Sequence, residues 1–83
     1  MVHVVILAPE TILFEGQARH VILPGEEGVF EVGSFHRPLV SRLLPGVILV
    51  DEQPIPILRG VVGIQRDRLA ALVEPDRAGA TAS

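Results

Sequence analysis

Turn-forming residues recur about every ten positions along this chain, and this rhythm constrains its fold more than any other feature. They stand in short clusters that include Gly16, Pro24-Gly25, Gly28, Pro38 and Pro45-Gly46, and apolar runs fill the gaps. Runs this short are typical of strands in a meander, because an ordinary helix needs a longer uninterrupted segment. The sequence therefore predicts an all-β domain, a two-layer β-sandwich or flattened barrel of about eight to ten short strands.

The apolar runs predict where the strands lie. Eight segments have strand character: residues 2–7, 12–15, 18–23, 29–32, 47–50, 55–58, 61–65 and 69–74. The first is almost wholly apolar and β-branched, as expected of a strand that is covered on both faces. Residues 38–44 are ambiguous, because Val40, Leu43 and Leu44 have helical spacing but Pro38 and Pro45 leave little room for a helix.

Two prolines predict a sheet edge. Pro54 and Pro56 are two positions apart, so in a strand they remove backbone N–H groups from the same side. That side cannot form a regular ladder with another strand and is protected against adding one.

Composition limits the classes of protein that remain. Eighty-three residues make one small domain, expected to span residues 1–74 with a flexible tail at 75–83. Apolar residues make up 48% of the chain, which is generous for so small a core, so some should form a docking patch on the surface. The net charge of −3 and the scattered arginines argue against binding nucleic acid.

Neither a disulfide framework nor a membrane span is expected. The chain has no cysteine, and no apolar run approaches the roughly 20 residues that cross a bilayer. We also find no signal peptide, so we expect a soluble domain without direct insertion into the bilayer.

The search for catalytic or metal-binding residues yields weak candidates. Ser34 and His36 could share a strand face, but Glu31, the nearest acid, would point the other way. The three histidines lie far apart in sequence and match no local metal-ligand spacing. Glu26 and Glu27, between two glycines, would repel a phosphate. We therefore predict no catalytic residues, no metal and no cofactor.

Two surface features have both a structural and a functional interpretation. Glu26-Glu27 is either a solvated acidic turn or a contact for a basic loop of a partner. The segment from Phe35 to Leu39 either folds its two apolar side chains into the core or anchors an interface, where aromatic and arginine side chains contribute strongly.

The order and spacing of these turn clusters resemble the N-terminal domain of the epsilon subunit of rotary F-type ATP synthases. The resemblance runs from near Val4 to Glu74. It implies a β-sandwich in the central stalk that binds the gamma subunit and rests on the c-ring, and so couples ion translocation to rotation. It also implies a non-catalytic subunit of a peripheral complex on the cytoplasmic face of the bacterial inner membrane.

The resemblance also assigns residues to the two contacts. The loop toward the c-ring would comprise Glu26, Glu27, Gly28 and Val29. The gamma interface would comprise Ala8, Phe35, His36, Arg37, Pro38, Leu39, Val40 and Ser41. The chain departs from the family in both places. Val29 stands where a glutamate is usual, and Phe35-His36-Arg37-Pro38 stands where Gly-His-Ala-Pro is usual.

Typical members of that family continue into a pair of α-helices that inhibit ATP hydrolysis and in some cases bind ATP. Only residues 75–83 follow Glu74 here, so either the natural protein is a short form without the helical hairpin or this chain is a trimmed part of a longer protein. We expect no ATP binding, no inhibition, and a monomer when the chain is isolated. The alternative is a free-standing module that binds a small ligand or carbohydrate. The chain has no Trp or Tyr, which sugar sites generally use, so this is the weaker hypothesis.

Overall fold

The computed structural model describes residues 1–76, and every regular element in that part of the chain is a β-strand. There are eight: β1 (Val2–Ala8), β2 (Thr11–Ala18), β3 (Val21–Gly25), β4 (Gly28–Val32), β5 (His36–Leu43), β6 (Gly46–Val50), β7 (Gln53–Arg66) and β8 (Arg68–Pro75). The predicted all-β sandwich is confirmed.

One long strand joins the two layers. The strand order is β2-β1-β8-β7-β5-β3-β4, and β6 pairs with β3 and β7. The first half of β7 pairs with β6, and its second half pairs with β5 and β8. One layer is therefore β2-β1-β8-β7-β5 and the other is β4-β3-β6-β7. The β1–β8 pair is parallel, and the remaining pairs are antiparallel.

Alternating side chains from both layers form a single core. In β1 the even-numbered Val2, Val4 and Ile6 are completely buried, and Ile48 of β6 and Leu69 of β8 join them. Burying an aliphatic side chain of this size contributes about 1.5–3 kcal/mol to the free energy of unfolding. The odd-numbered side of β1 is less covered than predicted, since Val5 is half-buried and Leu7 is exposed.

The ambiguous segment is a strand. Residues 38–44 lie mostly in β5, which pairs with β7 from His36 to Leu43 and has an irregularity between His36 and Leu39. The predicted strands 55–58 and 61–65 are one continuous strand, β7, with an irregularity between Ile57 and Arg59. In both cases pairing with residues distant in sequence decides the structure, and local spacing does not.

The edge predicted from the two prolines is present. Pro54 and Pro56 lie opposite Leu49 and Val47 of β6. The carbonyl of Pro56 points away from β6, because it accepts the Asp76 N–H at 3.1 Å. In an antiparallel strand the N and O of one residue point the same way. The missing N–H groups therefore face away from β6. On that side of β7, the ladder that the described residues of β8 form reaches only to the Ile57–Pro75 pair.

The last strand ends one residue beyond the predicted domain boundary. Pro75 closes β8, and Asp76 is tied to β7 by the bond to Pro56. The flexible tail was predicted from position 75, and its residues 77–83 lie outside the described part of the chain. Within residues 1–76 there is no helix long and apolar enough to cross a membrane.

Candidate docking surfaces

The outward side of the larger layer carries a band of apolar side chains. Leu7 of β1 lies beside Leu72 of β8, which lies beside Val61 of β7. In the neighbouring row, Val5 pairs with Ala70, Ala70 with Gly63, and Gly63 with Val40 of β5. Because directly paired residues share a face, these rows form one surface. We call it the outer face and define it by Val5, Leu7, Val40, Val61 and Leu72.

The outer face is open to solvent. The exposed fraction is 82% for Val40, 55% for Leu72 and 48% for Val61. Gly63 and Ala70 have little or no side chain, and beside them lies a recess of about 700 Å³ whose lining includes Val5 and Val40. Large continuous apolar surfaces are typical of interaction sites, so the outer face is a candidate docking surface. It accounts for the apolar surplus that the composition indicated.

Glu26 and Glu27 form the tip of the hairpin that joins β3 to β4. Gly25 and Gly28 are the last paired residues, so the two glutamates are the whole loop. Gly28 has φ +127°, a conformation that a residue with a side chain rarely adopts. Both glutamates and the neighbouring Val29 are exposed. We call residues 25–29 the acidic hairpin.

Backbone bonds hold the acidic hairpin against the end of β5. The Glu26 N–H donates to the Arg42 carbonyl at 3.1 Å, and the Leu44 N–H donates to the Pro24 carbonyl at 2.8 Å. The hairpin therefore lies at the end of the sandwich where β5 finishes. Phe35 precedes the start of β5, roughly 20 Å away at the rise of an extended strand. Phe35 and the acidic hairpin therefore lie at opposite ends of β5. The later residues of the predicted gamma segment adjoin the hairpin, because Leu39, Val40 and Ser41 line a recess of about 570 Å³ together with residues 25–29.

The structure separates the residues predicted for the gamma interface. Ala8 is buried in the core. The pairing of β1, β8, β7 and β5 places it level with Leu43, at the C-terminal end of β5. Leu39 and Ser41 pair with the buried Ile64 and Val62 and so share the core-facing side of β5. His36 is half-buried, with its Nδ1 2.7 Å from the Arg37 carbonyl. The exposed members of the set are Phe35, Arg37, Pro38 and Val40, together with the partly exposed Leu39.

Sequence reasoning missed most of the outer face. Leu7, Val61 and Leu72 were assigned only to strands, and Val40 alone was named as an interface residue. The signal was present in β8, where alternate apolar residues at Leu69, Ala71 and Val73 already supply the core. An additional leucine between them, on the opposite side of the strand, indicates a second apolar face.

The residues considered for catalysis are engaged elsewhere. The Ser34 hydroxyl accepts a hydrogen bond from the Met1 amine at 2.6 Å, and Glu31 lies 3.9 Å from His20. Residues 1–76 contain no group of three or more His, Cys, Asp or Glu side chains placed to hold a metal ion.

Residues 1–75 match the family model described as ATP synthase, Delta/Epsilon chain, beta-sandwich domain. The chain belongs to this family. Membership confirms the resemblance inferred from the turn clusters. The epsilon chains of this family are structural and regulatory subunits of the synthase and are not catalytic.

Individual epsilon chains are similar over most of the sequence. The ATP synthase epsilon chain of Nitratiruptor sp. is 39% identical over 74 residues, which cover 83% of this chain and 57% of the relative. That of Bradyrhizobium sp. strain ORS 278 is 36% identical over 76 residues, covering 87% and 56% respectively. The chain thus spans a little over half the length of these curated relatives.

A solved structure shares the fold at low sequence identity. A chain in the cryo-EM structure of the Euglena gracilis mitochondrial ATP synthase, which comprises OSCP, F1 and the c-ring, superposes with a TM-score of 0.77 and 16% identity. The match covers 98% of this chain and 60% of that one. It supports the sandwich architecture of the family.

Proposed function

We propose that this chain is the epsilon-type subunit of the central stalk of an F-type ATP synthase, bound to gamma and to the c-ring. In this role it performs no chemistry and transmits torque between the ring and gamma. The outer face carries the proposal, because this family member has an exposed apolar surface on one layer and an acidic hairpin at one end of it.

The outer face is the proposed docking surface for gamma. It includes Val40, the most exposed apolar residue of β5, which the resemblance assigns to the gamma interface. An apolar face spread over several strands is rigid, so little conformational entropy is lost when it is covered. Stable attachment to a rotating partner needs such a surface, because scattered exposed charges contribute little.

The acidic hairpin is the proposed contact for the c-ring. Its carboxylates are exposed and its backbone is anchored to β5, so the charges sit at a fixed position on the sandwich. A basic loop on the ring is the matching chemistry. The Euglena gracilis chain with the same fold occurs in an assembly that contains a c-ring, which supports this arrangement.

Three further properties belong to the proposal. The domain is monomeric on its own, and its apolar face is covered when gamma binds. It does not bind ATP, since the glycines of its tight hairpin flank two carboxylates that repel phosphate. It works on the cytoplasmic face of a bacterial plasma membrane, where the peripheral part of the synthase lies.

Reversing both charges of the acidic hairpin tests the c-ring contact. We expect Glu26→Lys/Glu27→Lys to impair coupling in the reconstituted synthase, because the hairpin would then repel a basic loop. A single reversal should do little, since one exposed charge pair contributes about 0–1 kcal/mol. The measurement is the amount of ATP-driven ion pumping per ATP hydrolysed, at low and at moderate salt.

The matched control is Glu31→Lys/Glu52→Lys, which makes the same change in net charge away from the hairpin tip. Both of these glutamates are exposed, in β4 and in the turn between β6 and β7. We expect normal coupling from the control. Equal coupling by the two double variants would remove the hairpin from the c-ring contact.

A further inference from the structure

The end of the sandwich opposite the acidic hairpin is cationic and presents an exposed aromatic ring. Phe35 lies in the turn between β4 and β5, and Arg66 lies at the turn between β7 and β8. The two turns are neighbours, because His36 pairs with Arg66. Arg37 and Arg68 flank them in sequence. We call Phe35, Arg37, Arg66 and Arg68 the basic end.

Phe35 has an unfavourable backbone conformation, and its side chain lies outside the core that residues 1–76 form. Its φ is +62°, in the left-handed region where a bulky side chain costs folding free energy. Its exposed fraction is 89%, whereas Phe14 and Phe30, the other two phenylalanines of the chain, pack against the core. The domain therefore retains an exposed aromatic ring at a position that glycine would occupy with less strain.

Asp51 also has a left-handed backbone conformation, but hydrogen bonds within the domain stabilise it. It has φ +54°, but its Oδ1 accepts the N–H groups of Arg19 at 3.0 Å and His20 at 3.2 Å. Those bonds tie the turn between β6 and β7 to the turn between β2 and β3. The Phe35 side chain makes no comparable hydrogen bond in the described residues, and its ring is free to contact a partner.

The arginines of the basic end are also without partners in the described residues. The ion pairs within residues 1–76 are His20–Glu31 and Arg59–Glu74, and neither involves this end. Arg37, Arg66 and Arg68 are all exposed. Three unpaired cations around an exposed ring, in a chain of net charge −3, fit an acidic surface that bears an apolar pocket.

We infer that the basic end docks on an acidic segment of gamma whose carboxylates surround an apolar pocket for the Phe35 ring. This rests on the proposed function and specifies the chemistry of its gamma contact. A shallow recess of about 490 Å³ beside Phe35 is lined by His36, Pro38, Arg66 and Asp67. Pro38 also lines the recess on the outer face, so the two surfaces are continuous.

A protein surface fits this end better than a lipid bilayer. The planar guanidinium of arginine binds carboxylates with two parallel hydrogen bonds, and this geometry favours fixed carboxylates on a protein. Asp67 lies between Arg66 and Arg68 and would be repelled by an anionic membrane, whereas a protein can place a donor opposite it.

The first test replaces Phe35 by residues that accept a left-handed backbone. We expect Phe35→Gly and Phe35→Asn to keep or raise the thermal midpoint of the chain, because both relieve the conformation of this turn. Both should weaken binding to the cognate epsilon-free catalytic complex, which contains gamma, by about tenfold or more. A lower thermal midpoint in both variants would make Phe35 a structural residue and overturn the inference.

The second test makes the same change in net charge at the basic end and, separately, at positions outside both proposed gamma surfaces. We expect Arg66→Gln/Arg68→Gln to weaken binding about tenfold at low salt and less as salt rises. The control, Thr11→Glu/Val47→Glu, makes the same change in net charge at two exposed positions outside the basic end and the outer face, and should bind nearly as well as the unaltered chain. Equal weakening by both pairs would indicate general attraction and contradict a specific contact.

Two further outcomes separate this inference from the proposed function. If the unaltered chain does not bind the complex, both fail. If it binds and the Phe35 and arginine variants bind equally well, the inference alone fails. The chain could instead sediment with phosphatidylglycerol vesicles in a Phe35-dependent manner while the Phe35 variants still bind the complex normally. That result would mean that the basic end binds a membrane and not gamma.

Discussion

Replacing Leu72 by Asp is expected to weaken binding of the chain to gamma by about a hundredfold while the domain stays folded. Leu72 lies between Leu7 and Val61 on the outer face, and its side chain is 55% exposed in the isolated domain. A carboxylate there remains hydrated until gamma covers it, and then loses its water beside apolar neighbours. The measurement is affinity for the epsilon-free catalytic complex, with circular dichroism to verify the fold.

The matched control is Val47→Asp on the other layer. Val47 is 43% exposed and lies on β6 next to the buried Ile48, so it points away from the core as Leu72 does. We expect this variant to lose a similar, small amount of stability and to bind the complex normally. If Val47→Asp and Leu72→Asp weaken binding equally, or neither does, the outer face is not the gamma surface.

Replacing Gly60 by Val is expected to lower the free energy of unfolding by about 3 kcal/mol or more. A β-carbon at this position would lie 2.7 Å from the Leu72 carbonyl oxygen and 2.7 Å from Cγ1 of Val73. The oxygen belongs to the backbone of β8, so the strand itself must move. In a small domain whose total stability is roughly 5–10 kcal/mol, this is a large fraction. Urea denaturation measures it.

Gly63→Val is the control for this steric argument. Gly63 is in the same strand, but a β-carbon there meets no atom within 4 Å. We expect the free energy of unfolding to change by less than about 0.5 kcal/mol. A loss at Gly63 as large as that at Gly60 would show that glycine itself is required in β7, and the contact with β8 would not be the cause.

Local turn chemistry made most of the strands predictable. Gly28 permits the hairpin between β3 and β4, and Pro54 and Pro56 identify the side of β7 along which the described ladder with β8 stops at the Ile57–Pro75 pair. Pairing between distant residues was not predictable. The helical spacing of Val40 and Leu43 is overridden because β5 pairs along the second half of β7. The continuity of β7 likewise depends on β6 and β8, which a local pattern does not include.

The candidate surfaces were predictable to different degrees. The acidic hairpin is local in sequence, so its residues could be named and its tip lies in solvent. The outer face is assembled from β1, β5, β7 and β8, and the register between strands determines which of their residues become neighbours. Ala8 stands at a turn and was predicted to be an interface residue. Side chains alternate between the two faces of β1, and this alternation places Ala8 in the core.

Restoration of coupling tests the central claim most directly. The organism's own synthase, stripped of its epsilon subunit and reconstituted in vesicles, should hydrolyse ATP with little ion pumping. We predict that adding this 83-residue chain restores the membrane potential generated per ATP hydrolysed, measured with a potential-sensitive dye. If the chain binds and pumping stays at the level of the stripped enzyme, the proposed role in coupling gamma to the c-ring is wrong.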